Sequence, residues 1–344
     1  MKVGIIGATG YGGVELIRFL HNHKEVEQME LFTSSEEGTL FSTKFPHLLD
    51  VKDEPLQKID YEVLEQFDVI FASTPSGVSS SLFPPLLHKG PKLIDLSGDF
   101  RLKDVTKYEH WYKKTAAPQH AIEASVYGLT EWNEANIADA ELIANPGCYP
   151  TAVLLSLLPL LKEQLIDPSF LVIDAKSGIS GAGNKPSQAT HFSETNENFS
   201  IYKINEHQHI PEIEQAIQMF ADVETNISFN THLVPMTRGI LVTSYAQVTS
   251  GVTQAQLTSC LQDTYANNPF VRVIENASSI GTNRVKGSNY CDVYVQLDER
   301  TNRATIISVI DNLVKGAAGQ AIQNMNVQMN LPQTTGLNVV PLFI

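Results

Sequence analysis

The sequence predicts an α/β protein in which a Rossmann-type parallel sheet domain is combined with an inserted α+β domain. The N-terminal part alternates short apolar runs with helical apolar spacing, which is typical of parallel βαβ units. A glycine-rich loop directly follows the first apolar run, as in dinucleotide-binding folds. The middle part instead has longer, partly alternating runs, which indicate a mixed or antiparallel sheet with one open face.

Five apolar runs predict the strands of the parallel sheet. The first run ends in the glycine loop, and residues 14–23 follow it with the apolar spacing of a helix. Each later run is short and is followed by a loop, which suits a sheet with helices on its faces. The predicted strands are residues 2–6, 26–32, 68–72, 92–96 and 142–144.

Four further runs predict the second, mixed sheet, whose open face is a candidate subunit interface. Residues 309–325 are rich in Ala, Leu, Val and Gln and predict a last helix that returns to the first domain. We therefore assign residues 1–147 and 311–344 to the dinucleotide-binding domain, and residues 148–310 to a catalytic and oligomerisation domain. The predicted strands of the second sheet are residues 171–175, 230–234, 241–248 and 293–297.

Composition and charge restrict the possible partners. The chain has 344 residues, 42% of them hydrophobic and 18% charged, which fits a globular protein of about two domains. Its net charge of −14 argues against nucleic acid or an anionic membrane as the main partner, so an anionic substrate needs local Arg and Lys residues. The sequence shows no membrane-spanning stretch and no signal-peptide pattern, and it predicts a cytoplasmic protein.

The cysteines indicate a reducing compartment and one reactive thiol. Cys148, Cys260 and Cys291 show neither disulfide nor zinc spacing. Cys148 lies in Asn-Pro-Gly-Cys-Tyr-Pro-Thr, residues 145–151, just ahead of a long apolar run that predicts a helix. A helix N-terminus offers unpaired N–H groups and the positive end of the dipole, which favour the nucleophilic thiolate. A nucleophilic cysteine beside a nicotinamide indicates an aldehyde or acyl-phosphate oxidoreductase, whereas Cys260 and Cys291 are interpreted as structural.

The glycine loop is the candidate pyrophosphate site. Gly7, Gly10 and Gly13 are spaced by three, a relative of the stricter dinucleotide fingerprint. Small residues let the backbone approach a pyrophosphate, and the helix that follows offers its N-terminal N–H groups. A glycine-rich structural turn is the alternative interpretation.

The end of the second strand bears on cofactor choice. Thr33-Ser34-Ser35 stands where an NAD-specific site usually places Asp or Glu for the ribose 2′-hydroxyl. Hydroxyl side chains tolerate a 2′-phosphate and favour NADP, although Glu36 and Glu37 follow immediately and no Arg is near in sequence. An ordinary solvated loop also explains the two glutamates.

Two other loops carry candidate cations. Asp95-Leu96-Ser97-Gly98-Asp99-Phe100-Arg101 follows a predicted strand, and Arg101 could bind a phosphate in forked geometry or form an ion pair with Asp99 or Asp95. The second loop, residues 177–185, has four small residues in a row from Ser180 to Gly183 and ends at Lys185. It could pass close to a nicotinamide, or it is a plain surface loop.

His207-Gln208-His209 supplies candidate acid–base residues. Pro211 predicts a helix start, with both histidines just ahead of it, so one of them could lie beside Cys148. A zinc site is a second interpretation, but no third ligand is near in sequence. A structural or surface role is open for each histidine.

Two residues further along complete the set. Arg238 is predicted at the end of a strand, where it could bind a carboxylate or phosphate. Asn312 is predicted at the start of the last helix, where it either bonds a nicotinamide carboxamide or caps that helix.

Taken together, these segments resemble the N-acetyl-gamma-glutamyl-phosphate reductase family, relatives of aspartate-semialdehyde dehydrogenase. The resemblance covers nearly the whole chain. It is carried, in order, by the segments GATGYGGVEL, IDLSGDFRL, VYGLTE, ANPGCYPTA, DAKSGISGAG, HQHIPEIEQ, HLVPMTRG and DNLVKGAAGQAIQNMN.

The resemblance implies NADPH-dependent reduction of N-acetyl-L-glutamyl 5-phosphate to the 5-semialdehyde, a step of arginine biosynthesis, through a thioester on Cys148. It implies His209 as the acid–base residue, with His207 as its neighbour, no metal, and a homodimer or homotetramer. The residues predicted to bind substrate are Arg101, Asn145, Lys185, His207 and Arg238. The residues predicted to bind NADP are Gly7, Thr9, Gly10, Tyr11, Gly12, Gly13, Ser34, Ser35, Ser180, Gly181 and Asn312.

The chain departs from the family pattern in three places. Glu36 stands near a position where a basic residue often follows the Ser pair, Asn184 replaces a usually basic residue, and Thr231 replaces a common proline. Aspartate-semialdehyde dehydrogenase is the rival enzyme, with the same chemistry and a shorter, free-amine substrate. A dinucleotide-sensing protein without turnover and a Cys–His hydrolase are alternatives from other classes.

Overall fold

The computed structural model describes residues 1–342, which form two compact units. The first comprises Met1–Pro146 and Ala318–Leu337, and the second comprises Gly147–Ala317 with residues 338–342. Residues 311–317, predicted as part of the first domain, group with the second unit, since Gly316 packs against Cys148 and Arg238 contacts Asp311. The predicted domain ranges themselves stay predictions.

The first unit contains an all-parallel sheet, as predicted. Its strand order is β3-β2-β1-β4-β5-β7-β6, so the chain continues from β1 to one side and later to the other. The carboxyl ends of β1 and β4 therefore form a topological switch point, where open α/β sheets bind ligands. The strands are β1 (Lys2–Ile6), β2 (Gln28–Thr33), β3 (Gln57–Lys58), β4 (Val69–Ala72), β5 (Lys92–Asp95), β6 (Ser125–Tyr127) and β7 (Leu142–Ala144).

The apolar runs of this sheet are buried, which explains why they form strands. All four residues of β4 are buried, as expected for a parallel strand covered on both faces. The strands β3 and β6, which are only two and three residues long, were not predicted. The helices are α1 (Tyr11–Leu20), α2 (Phe41–Lys44), α3 (Tyr61–Leu64), α4 (Ser79–Leu82), α5 (Val105–Tyr112), α6 (Gln119–Ala124) and α7 (Thr130–Asp139), with 3₁₀ turns at Pro46–Leu48 and Pro84–Leu86.

The second unit contains the predicted mixed sheet. Its order is β12-β13-β14-β11-β8-β10-β9, with β12 parallel to β13, β8 parallel to β10, and the other neighbours antiparallel. The strands are β8 (Ile166–Gly178), β9 (Ser200–Tyr202), β10 (Ser228–Val234), β11 (Ile240–Val248), β12 (Val271–Val273), β13 (Cys291–Asp298) and β14 (Arg303–Ile310).

Helices cover one face of this sheet, and the apolar helix α8 (Cys148–Lys162) lies at their centre. Residues 149–161 of α8 are all buried, because the helix is apolar all round and packs against β8, β11, β13 and β14. The helices of this unit are α8 (Cys148–Lys162), α9 (Phe192–Thr195), α10 (His209–Ala221) and α11 (Gln254–Tyr265), with 3₁₀ turns at Ile179–Ala182, Gln188–Thr190, Ala277–Ser279 and Thr282–Arg284. None of the helices within residues 1–342 is long and apolar enough to cross a membrane.

The predicted last helix, residues 309–325, is partly wrong. Residues 309 and 310 end β14, residues 311–313 form a turn, and a π-helical turn spans Val314–Ala318 before α12 (Gly319–Gln328). The strand β14 was not predicted, although the polar residues Asp311 and Asn312 separate its apolar run from the helical region. Asn312 consequently precedes the helical region and does not open it.

Candidate active site

Cys148 is the first residue of α8, as the motif predicts. Gly147 caps the helix with an extended backbone (φ −66°, ψ 156°). Cys148 is only partly buried, whereas the helix behind it is enclosed. The N-terminal turn of a fifteen-residue helix thus lies at the thiol, where its dipole favours negative charge on sulfur.

His209 packs directly beside the residue that precedes this cysteine. A Cβ added to Gly147 would lie 2.5 Å from Nε2 of His209, so only glycine leaves room for the imidazole there. His209 is 7% exposed and is the first residue of α10, so the helix begins two residues earlier than Pro211 predicts and includes His209. Two helix starts therefore bring the candidate nucleophile and the candidate acid–base residue together within the second unit.

Glu212 fixes this arrangement from α10, and sequence reasoning did not single it out. Its Oε1 accepts the N–H of Gly147 at 2.8 Å, and the residue is fully buried. Glu212 follows His209 by three residues, so both side chains lie on the same helix face. The three-residue spacing between His209 and Glu212 could therefore have identified Glu212 from the sequence. Since Gly147 donates to Glu212 and Pro150 has no N–H, fewer backbone donors surround the thiol than the helix start alone suggests.

The π-helical turn packs against the nucleophile from another direction. A Cβ added to Gly316 would lie 2.7 Å from the Cβ of Cys148. The sequence indicated that Gly316 allows close packing, but it did not indicate the partner. Single π turns are frequent at functional sites, and here the turn brings backbone against Cys148.

His207 is a buried, neutral neighbour of His209. Its Nδ1 accepts the backbone N–H of His209 at 3.2 Å, and the two rings are 4.6 Å apart. Burial, reinforced by the positive charge of Lys203, lowers the pKa of His207 to about 3. Near neutral pH this imidazole therefore carries no charge.

The low pKa of His207 makes the protein less stable in acid. The unfolded chain binds a proton near the ordinary pKa of 6.5, so the free energy of unfolding should fall as pH drops from 6.5 towards 3 and be fully recovered above 6.5. Urea unfolding at about pH 5 and about pH 7.5 measures this loss, which should be smaller in His207→Asn. An equal loss in both proteins would contradict the assignment.

A tyrosine pair closes the same region. The hydroxyls of Tyr149 and Tyr202 are 3.1 Å apart, and the ring of Tyr149 meets both His207 and His209 edge-on. Burial raises the pKa of Tyr149, and burial together with the negative charge of Cys148 raises that of Tyr202 to about 12. Both tyrosines therefore stay protonated, and sequence reasoning had singled out neither for this role.

Among the other predicted residues of the second unit, Asn312 contacts the small-residue loop that contains Ser180 and Gly181. Asn312 donates from Nδ2 to Ser180 Oγ at 2.9 Å and accepts the N–H of Gly239 at 2.8 Å, so its amide fixes the small-residue loop. A Cβ added to Gly181 in that loop would lie 2.6 Å from Ser177 Oγ. Arg238 contacts the buried Asp311 at 3.5 Å, whereas Lys185 is exposed.

In the first unit, the glycine loop lies at the switch point. Gly7 has a positive φ of 80° and faces the backbone of Ser73, which follows β4; a Cβ at Gly12 would lie 2.7 Å from Ser73 Oγ. Gly10 caps α1, and a Cβ added there would meet no atom closer than 3.6 Å, so the space beside this glycine is open to a ligand. Thr9 and Tyr11 flank this cap, and α1 begins at Tyr11. The Ser73-Thr74 loop was not predicted as part of the site, although strand ends at a switch point bind ligands.

Arg101 is buried beside the segment that leads to the cysteine motif. Its Nε donates to the carbonyl of Asn145 at 2.8 Å and its Nη2 to that of Leu96 at 3.0 Å. Asn145 in turn accepts from Asn324 Nδ2 at 3.1 Å. Asp95 and Asp99, the predicted alternative partners, accept from loop N–H groups and from Ser79, and burial raises the pKa of Asp95.

Ser34 and Ser35 are exposed directly after β2, which ends at Thr33. Among residues 1–342, no three His, Cys, Asp or Glu side chains are grouped so that they could hold a metal ion. The zinc interpretation of His207 and His209 therefore gains no third ligand in the described part of the chain.

Comparison with known proteins decides the family. A model for the semialdehyde dehydrogenase NAD binding domain matches residues 2–140, and one for the semialdehyde dehydrogenase dimerisation domain matches residues 148–312. The N-acetyl-gamma-glutamyl-phosphate reductase of Geobacillus sp. (strain WCH70) is 53% identical over 344 residues, covering 100% of both chains. The chain belongs to the N-acetyl-gamma-glutamyl-phosphate reductase family. The protein of that name from Bacillus subtilis (strain 168) is 52% identical, also over 100% of both chains.

The family assignment confirms the resemblance and the enzyme class. Members of the reductase family are oxidoreductases, and the matched domains indicate a nicotinamide dinucleotide cofactor and an oligomer. The rival enzyme appears among solved structures: aspartate semialdehyde dehydrogenase II of Vibrio cholerae aligns with a TM-score of 0.72 at 16% identity, over 96% of this chain and 98% of that chain. This alignment confirms the fold alone. The reductase name comes from relatives that are about 50% identical to this chain.

Proposed function

We propose that this chain reduces N-acetyl-L-glutamyl 5-phosphate to N-acetyl-L-glutamate 5-semialdehyde and phosphate, with NADPH, in arginine biosynthesis. The observation that carries the proposal is the full-length identity of 52–53% to two proteins named for this activity. The packing of His209 beside Gly147, next to Cys148, supports the same chemistry independently.

In the proposed mechanism, the Cys148 thiolate attacks the acyl-phosphate carbonyl. The C–S bond forms, the C–O bond to phosphate breaks, and phosphate leaves with that electron pair. The nicotinamide would supply the hydride that reduces the thioester on Cys148. His209 protonates the oxygen as the hemithioacetal forms, then accepts that proton back as the thiolate leaves and the aldehyde is released.

The geometry supports His209 over His207 for this role. His209 Nε2 faces the residue next to the nucleophile, whereas His207 accepts a backbone N–H through Nδ1 and has a pKa of about 3. A general acid needs a pKa near the working pH, so His207 is proposed to position His209 and contact substrate. The Tyr149 N–H is a candidate donor to the oxyanion, since Pro150 has none.

The glycine loop fits a dinucleotide, and its residues are proposed to hold NADP. Gly10 leaves the N-terminus of α1 approachable, where N–H groups and the helix dipole favour a pyrophosphate. Ser34 and Ser35 would lie at the ribose, and Ser180, Gly181 and Asn312 at the nicotinamide. Arg101, Asn145, Lys185 and Arg238 are proposed to bind the anionic substrate, which the net charge of −14 does not attract.

The location and assembly of the protein are proposed on the same basis. A reducing cytoplasm suits a reactive Cys148 that must stay a thiol. The match to a dimerisation domain supports a homodimer, or a homotetramer built from two of them, through the mixed sheet of the second unit.

The reverse reaction tests this function. NADP⁺ reduction is followed at 340 nm with N-acetyl-glutamate semialdehyde, with and without phosphate. We expect activity that depends on phosphate, because phosphorolysis of the thioester completes the turnover. Activity with aspartate semialdehyde but not with the acetylated compound would overturn the substrate, and activity unchanged by phosphate would overturn the acyl-phosphate route.

A further inference from the structure

The carboxyl end of β2 carries an ion pair that the proposed function does not use. Glu36, two residues after Ser34, forms a salt bridge with Lys44 at the end of α2. The two side chains are 32% and 37% exposed. Both therefore remain accessible to a ligand that binds at the end of this strand.

The backbone explains how Lys44 reaches this position. After β2 the chain turns at residues 36–39, where Thr39 N–H donates to Glu36 O and Gly38 N–H donates to Leu56 O. The chain then returns through the four-residue helix α2. Lys44 consequently contacts Glu36, the residue that directly follows Ser35, although it stands nine positions after Ser35 in sequence.

This position matters for the choice between the two nicotinamide dinucleotides. In doubly wound folds the residue after the second strand meets the adenosine ribose, and NADP binding requires a cation for the 2′-phosphate. Glu36 alone would repel that phosphate. Lys44 neutralises Glu36, and a phosphate monoester with nearly two charges and three acceptor oxygens binds a lysine better than one carboxylate does.

We propose that Lys44 is the cation that selects NADP over NAD in this chain, and that Glu36 holds it in place until the 2′-phosphate displaces the carboxylate. The inference rests on the proposed function, since it takes NADP as the cofactor. A second lysine, Lys58 on β3, is the rival, because it is the register partner of Thr33 at the end of β2.

Dissociation constants for NADPH and NADH, measured by fluorescence titration of the full-length protein, test the proposal. We expect Lys44→Gln to weaken NADPH binding about tenfold and to leave NADH binding within about twofold. Lys24→Gln, the same charge change in the loop ahead of β2 at the opposite edge of the sheet, serves as the matched control and should alter neither. Glu36→Gln should tighten NADPH binding by about threefold, and Glu37→Gln should have a smaller effect.

Several results would overturn the proposal. An unchanged preference for NADPH in Lys44→Gln would overturn it, and so would a loss of that preference in Lys58→Gln alone. Weaker NADPH binding in Glu36→Gln would show that the carboxylate assists and does not compete. In each case the unaltered protein still prefers NADPH, whereas failure of the NADP assignment removes that preference from the unaltered protein itself.

Discussion

Replacing Cys148 with serine is expected to abolish turnover, by on the order of 10⁴-fold or more in kcat, without weakening NADPH binding. A serine hydroxyl at the same helix start stays protonated near neutral pH, so the helix N-terminus has no anion to stabilise. The thiolate is also the better leaving group when the hemithioacetal collapses. Turnover in the reverse assay and NADPH titration measure the two effects separately.

Cys260→Ser is the matched control for this variant. Cys260 is also only partly buried, but burial, with the charges of Glu163 and Asp263, raises its pKa to about 11. Its thiol is therefore a poor nucleophile, and the variant should keep its activity. Iodoacetamide near neutral pH should label the unaltered protein and Cys260→Ser at one residue, and should leave Cys148→Ser unlabelled.

Two outcomes would contradict the assignment of Cys148. Substantial turnover in Cys148→Ser would mean that the reaction does not pass through a thioester on this residue. Slow labelling of Cys148 in a protein that binds NADPH tightly would instead favour the dinucleotide-sensing alternative. A folded Cys148→Ser protein with normal NADPH binding ensures that the loss is chemical.

The sequence predicted those parts of the fold that local patterns determine. The parallel strands β1, β4 and β5 follow from short apolar runs, and α8 follows from a motif that places a cap ahead of an apolar stretch. The edge strands β3 and β6 were missed because two or three residues carry no periodic signal. The strand β14 was missed because its last two residues, 309 and 310, were assigned to the following helix, and the rest of its apolar run was left without an assignment.

In the candidate site too, local patterns predict some residues, whereas others depend on how distant segments pack. Cys148 and the histidines could be predicted because their chemistry depends on residue type and on position at a helix start. The roles of Glu212 and Gly316 depend on which distant segments pack together, and no local pattern contains that information. Lys44 illustrates this too, since its pairing with Glu36 arises only when the chain returns through α2.

Replacing His209 with asparagine is expected to lower kcat by about 10²- to 10⁴-fold, the usual contribution of a positioned acid–base group. Asparagine keeps a polar side chain beside Gly147 but cannot transfer a proton near neutral pH. His207→Asn is the matched control, because His207 is also buried and only two residues away.

The two histidines are distinguished by what each variant loses. His207 is already neutral in the folded protein, with a pKa of about 3, so His207→Asn removes no proton donor and should cost kcat less than about tenfold. Both variants should still react with iodoacetamide at Cys148, since the helix start is unchanged. Comparing kcat across pH for the two variants completes the test. A larger loss of kcat in His207→Asn than in His209→Asn would transfer the acid–base role to His207, because removing the residue that transfers the proton slows the chemical step most.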